Sequence, residues 1–131
     1  MPDGMAVSHG DMHPGGVLLT PAGPVVIDWL TAEIVPPAAD IARTLFLLRD
    51  AAIPEALPAL QRSATTLVRR LFAARYIAEY KRLGSLDERE IASLRLPVLA
   101  ARLGEEIDAE RAPLLALIEL DLAASHRLPG G

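Results

Sequence analysis

The residues in this chain able to do chemistry gather in two stretches, Ser8-His9-Gly10-Asp11-Met12-His13-Pro14-Gly15-Gly16 and Ile27-Asp28-Trp29. Between them, Val17-Leu18-Leu19 and Val25-Val26-Ile27 are apolar runs parted by Thr20-Pro21-Ala22-Gly23-Pro24, a turn by composition. A strand advances about 3.3 Å per residue, so a run out and an equal run back return the chain to its start and bring Asp28 near Asp11. The runs are apolar on both faces, which predicts a buried hairpin. Two carboxylates beside a glycine-rich backbone suit phosphoryl transfer. That reaction wants a carboxylate to orient the acceptor hydroxyl and take its proton, and metal ions to neutralise the phosphates. A competing chemistry is a zinc or iron site, since His9-x-Asp11-x-His13 on an extended strand would turn three ligands to one side. Gly10 and Pro14-Gly15-Gly16 favour a loop instead. Asp11 and Asp28 also fit plain turn residues, since Asp is common where a chain reverses.

Order and spacing add a resemblance. His9-Gly10-Asp11, four residues, Gly16, a hairpin into Ile27-Asp28-Trp29, and then Pro37-Ala38-Ala39-Asp40-Ile41-Ala42 are similar to the aminoglycoside phosphotransferase and choline kinase-like family, relatives of the protein kinases. The resemblance implies an α+β, mainly α fold: the C-terminal lobe of a protein-kinase-like fold, with a catalytic loop, a short β-hairpin and about four helices in one domain over residues 1–131. It implies transfer of the γ-phosphate of ATP or GTP to a hydroxyl of a small molecule. Asp11 would orient the hydroxyl, and Asp28 would hold Mg²⁺, which prefers hard oxygens and completes its shell with phosphates and water. His9 would support the loop from behind, and Asp40 would hold its backbone amides.

Two departures qualify that expectation. Gly16 stands where the family places an Asn oxygen on the metal, and no asparagine occurs in the chain. Only water, a backbone carbonyl or Gln61 remains to substitute, so weak metal and nucleotide binding is expected. Only eight residues precede His9, and the single lysine, Lys81, lies far downstream. The expectation is therefore a lobe without its nucleotide-binding half, a truncated or degenerate member. The alternative is a non-catalytic module that pairs with itself, or with a partner supplying the missing lobe, through exposed apolar surface. A hydrophobic content of 51% and a mean hydropathy of +0.28 are high for so small a chain and agree with such a surface.

Composition excludes other classes. With no cysteine, disulfides, thiolate metal sites and cysteine nucleophiles are ruled out. A net charge of −4 gives no general attraction to nucleic acid or anionic membrane. The start lacks the features of a signal peptide, and Pro14, Pro21 and Pro24 break the longest uncharged stretch, so a cytoplasmic location is expected.

Beyond the hairpin, the pattern predicts four helices to position the site. Pro36-Pro37 opens the first, with Ile41, Leu45 and Leu48 as its stripe and an end near Asp50. The second runs from about Pro58 to Gly84, and Leu60, Ala64, Leu67, Leu71, Ala74 and Ala78 form its packing seam beside Phe72, Tyr76 and Tyr80. Ser85 with Glu88 reads as a capping box for the third, which carries Ile91, Leu94 and Val98, is kinked by Pro97 and ends at Gly104. The fourth runs from Asp108 or Arg111 to Ser125, with Leu114, Leu115, Ile118 and Leu122 inward, Pro113 in its first turn and a frayed tail after it. Trp29 reads as a core anchor, His13 as a loop-packing residue, and Arg69, Arg70, Arg75, Lys81 and Arg82 as a solvated face. Glu33, Glu79, Asp87 and Glu119 are acids that could meet a cationic acceptor, and the sequence does not select among them.

Overall fold

The computed structural model describes residues 4–84 and 87–125. In chain order they form β1 (Ala6–Ser8), a tight turn at Pro14–Gly16, β2 (Val17–Thr20), β3 (Gly23–Val26), a second tight turn at Trp29–Thr31, β4 (Glu33–Val35), and the helices α1 (Pro37–Arg49), α2 (Ala59–Leu83), α3 (Glu88–Leu103) and α4 (Asp108–Ser125). The class is α+β and mainly helical, with two two-stranded sheets among the described residues.

The hairpin forms where composition places it. β2 and β3 pair antiparallel from Val17 opposite Val26 to Thr20 opposite Gly23. Thr20 closes the loop, its hydroxyl donating to the Gly23 carbonyl at 2.8 Å and accepting from the Ala22 amide at 3.2 Å. Burial does not follow: Leu19 is 87% exposed, and Leu18 and Val25 are about half exposed. The helices pack chiefly on one another and on β1, so no helix of the described residues lies extensively across the hairpin. A second sheet, unforeseen in the sequence, pairs β1 with β4 antiparallel, Ala6 opposite Val35 and Ser8 opposite Glu33. It fixes both ends of the segment that carries His9 to Asp28.

Helix α1 starts at Pro37, whose fixed φ and missing N–H suit a first helical position, and stops at Asp50. Its Ile41 and Leu48 are buried and Leu45 packs against the cluster that holds Ile41, as the stripe predicts. One core cluster joins Ala38, Ile41 and Ala42 to Ile91 of α3; the other joins Phe46 to Leu99 and Leu114 of α3 and α4. Arg95 ties the same three helices, its Nε donating to Asp121 at 2.8 Å and its Nη1 to Asp50 at 3.0 Å.

Helix α2 keeps its predicted bounds but turns a different face inward. Leu60, Leu67 and Leu71 are exposed, as are Ala64, Ala74 and Ala78, while Ala73 is fully buried and Tyr76 and Ile77 pack against α1 and Ile91. Phe72 and Tyr80, expected beside the seam, are exposed as well. A short side chain on the contact line lets two helices approach closely, and Ala73 supplies it. Periodicity alone does not rank that face above the leucine one.

Asp87 caps α3, its carboxylate accepting from the Arg89 and Glu90 amides at 2.8 and 3.3 Å. Ser85, the expected cap, lies outside the described residues, as does the tail expected to fray. Pro97 sits within a helix that continues to Leu103. Pro113 is inside α4 beyond its first turn, because that helix begins at Asp108. Leu114 is buried, whereas Leu115 and Leu122, expected inward, are exposed, because the contact with α3 is made by Leu114, Leu117 and Ile118. No helix of the described residues is long and apolar enough to cross a membrane.

Candidate active site

The loop after β1 is clasped from α1. The His9 amide donates to Asp40 Oδ2 at 3.3 Å and the Gly10 amide to Asp40 Oδ1 at 2.9 Å. Asp40 lies in the first turn of α1, where the helix dipole favours a carboxylate. On the other side, the Thr31 hydroxyl donates to the His9 carbonyl at 3.0 Å.

The His9 ring is buried, and both its nitrogens are used. Nε2 lies 2.9 Å from the Ile27 carbonyl oxygen, which can only accept, so Nε2 carries the proton. Nδ1 then accepts from the Asp11 amide at 3.3 Å. The Trp29 ring leans on the imidazole with centroids 4.8 Å apart, and its Nε1 donates to the Val26 carbonyl. Trp29 is half exposed, so it is a cover over His9 rather than the core anchor expected. The competing zinc or iron reading falls here: His9 has no nitrogen left for a metal, and among the described residues no group of three His, Asp or Glu side chains could hold one.

Asp11 sits at the head of a chain of charges. Arg43 Nη2 is 3.9 Å from Asp11 Oδ1, and His13 Nε2 is 4.0 Å from Oδ2. The same Arg43 atom binds Glu105 at 2.6 Å, and Glu105 also meets Arg102 at 2.6 Å. Arg102 in turn grips both oxygens of Glu110, at 2.6 and 2.9 Å. Those bonds raise the already high pKa of Arg102. His13 Nδ1 accepts from the Gly15 amide at 3.1 Å, so it also shapes its own turn.

Asp28 follows directly on the hairpin. The Ile27 amide donates to the Gly16 carbonyl at 2.9 Å, which extends the ladder by one pair and leaves Asp28 just past Gly16. Asp28 is exposed, has a left-handed backbone with φ +65°, and makes no hydrogen bond or ion pair with the described residues. Among the described residues no group of three His, Asp or Glu side chains gathers here, so Asp28 could hold a hard cation such as Mg²⁺ only as a lone protein carboxylate, with the rest of the shell coming from phosphate and water. Gly16 is buried and offers that cation no side chain.

Beside Asp11 opens a cleft of about 450 Å³ between the loop residues Asp11, His13 and Pro14 and helices α1, α2, α3 and α4. Leu47, Ala51, Val68 and Phe72 give it an apolar wall, and Arg69 and the Arg102–Glu110 pair give it charge. Sequence reasoning missed Arg43, Arg69, Arg102 and Glu110. One signal for Arg43 was present: it lies three residues after Asp40, on the same helical face.

A family model described as the phosphotransferase enzyme family matches residues 2–75 of the 131. No curated protein and no solved structure matches the chain.

Proposed function

The chain belongs to the phosphotransferase enzyme family, and on that premise we propose that it is built for transfer of the γ-phosphate of ATP or GTP to a hydroxyl of a small molecule, on the C-terminal lobe of a kinase-like fold. Asp11 orients the acceptor hydroxyl and takes its proton as the new O–P bond forms and the bond to the nucleoside diphosphate breaks. Asp28 is the residue that would hold Mg²⁺, which supplies neutralisation of phosphate charge when bound. His9 and Asp40 are positioning residues that hold the Asp11 loop against the Ile27-Asp28 segment. The observation that carries the reading is the His9 ring, bonded at Nδ1 to the Asp11 amide and at Nε2 to the Ile27 carbonyl. With Gly16 in place of a second metal ligand, affinity for the metal–nucleotide pair is low.

Thermal unfolding with ATP and Mg²⁺ together, up to several-millimolar nucleotide, tests it. A ligand that binds only the folded state adds about 2.7 kcal/mol at a hundredfold excess over Kd, a shift of several degrees for a domain of this size. The expected result is a Mg²⁺-dependent rise that Asp28→Ala abolishes. No rise, or a rise that survives Asp28→Ala, overturns the assignment.

A second reading, self-association, is favoured by the exposed Leu60, Leu67 and Leu71 of α2. Helix α2 carries six cationic residues and one Glu, whereas α4 carries one Arg and four acids, of which Glu110 and Asp121 are held by Arg102 and Arg95 and Asp108 and Glu119 are not. A twin molecule laying α4 on this seam satisfies both charge and apolar surface, and one laying α2 there does not. Light scattering is expected to report a dimer that Leu67→Glu with Leu71→Glu returns to monomer. A wild-type monomer removes this reading.

A further inference from the structure

We propose that the acceptor bound beside Asp11 is a hydroxy acid with an apolar body, and not a polycation; the proposal rests on the phosphotransfer reading and names the substrate class of that same site. The cleft shares Asp11 with the catalytic loop, so a molecule filling it presents its hydroxyl to that carboxylate. Its charges largely cancel. Glu110 is gripped at both oxygens by Arg102, leaving no carboxylate there to receive an amine. Asp11 itself already has Arg43 and His13 at 3.9 and 4.0 Å. What remains is Arg69. Its Nη1 donates to the Ala51 carbonyl at 2.7 Å, which holds the guanidinium in place, and no carboxylate of the described residues pairs with it. An anchored guanidinium without a counter-ion, lining a cleft whose other wall is Leu47, Val68 and Phe72, calls for a ligand carboxylate joined to an apolar skeleton. A polyamine would bring several cations to a site that offers one carboxylate and repels them with Arg69.

Three matched probes decide it on the full chain, without nucleotide or Mg²⁺: p-hydroxymethylbenzoate, its methyl ester and p-hydroxymethylbenzylamine, titrated by calorimetry. The acid is expected to bind about tenfold tighter than the ester, the size of one charge-assisted hydrogen bond, and the amine weakest. Arg69→Gln brings the acid down to the ester and leaves the ester unchanged. Phe72→Ala, at an exposed position that the fold tolerates, weakens acid and ester alike. An amine that binds as tightly as the acid, an acid that fails to bind at several millimolar, or an order that survives Arg69→Gln overturns the proposal. The three-probe order on the unmodified chain is decisive even if Arg69→Gln does not fold. Because these titrations contain no nucleotide, their outcome separates from that of the Mg²⁺-ATP experiment. A chain that binds the acid but not Mg²⁺-ATP keeps the cleft assignment and loses the transferase one.

Discussion

The backbone of Gly10 runs so close to Thr31 that a Cβ at Gly10 would overlap the Thr31 carbonyl oxygen. Its φ of +78° is also one that L side chains rarely adopt. Only glycine satisfies both. Gly10→Ala therefore pays for backbone strain and for displacing Thr31, which holds the His9 carbonyl; the expected loss is about 3 kcal/mol in urea unfolding. A loss below about 1 kcal/mol would mean the loop relaxes freely, and the clasp would then not be rigid.

Asp28 makes the opposite trade. Its left-handed backbone is relieved by glycine and strained further by alanine, so the two variants should move stability in opposite directions. Asp28→Gly is expected to gain about 0.5 kcal/mol and Asp28→Ala to lose about 1 kcal/mol, with the Mg²⁺-ATP response lost in both. Equal effects of the two variants on Tm would show that the carboxylate, and not the backbone, sets the cost.

Gly16 can be filled. A Cβ there meets only the Ile27 carbonyl oxygen at 3.6 Å, an ordinary contact, and its φ lies outside the left-handed region. Gly16→Asn is expected to fold with stability unchanged or raised by about 0.5 kcal/mol, and to tighten Mg²⁺-dependent nucleotide binding by placing an amide oxygen next to Asp28. An Asn variant of normal stability and unimproved nucleotide affinity would count against Asp28 as the metal ligand.

Burial raises the pKa of the Tyr76 phenol above its ordinary value of 10.0, and the nearby Tyr80 and Asp40 add to the shift. Above pH 10 the unfolded chain releases this proton while the folded chain keeps it, so the contribution is complete below pH 10 and lost as pH rises further. Stability should fall there by about 1.4 kcal/mol per pH unit from this group alone. Tyr76→Phe is expected to flatten that fall, measured as urea midpoints between pH 9 and 11.5; an unchanged slope would assign the alkaline loss to other groups.

Much of the frame is legible in the sequence because it is set by local rules. Pro37 opens α1, Gly84 and Gly104 close α2 and α3, and the Thr20 to Gly23 turn reverses the hairpin. Faces are less legible than bounds. The leucine seam of α2 has better periodicity than the Ala73, Tyr76 and Ile77 face that packs, and the choice depends on the shape of α1, which lies elsewhere in the chain. The hairpin looks buried by composition, yet burial needs a covering layer, and the helices of this chain cover one another instead. Around the site, Asp11 and Asp28 stand out by spacing. Arg69 and the Arg43-Glu105-Arg102-Glu110 series do not, since four helices must fold before those side chains meet.

An imidazole ring has no internal rotation, and the one at His9 spans a fixed length between an amide and a carbonyl from two separate turns of chain. The turn bearing Asp11 and the turn bearing Asp28 are consequently tied to each other through a single side chain. A displacement of the hairpin end at Ile27 is therefore felt at the Asp11 amide through that ring, which is the joint between the two turns.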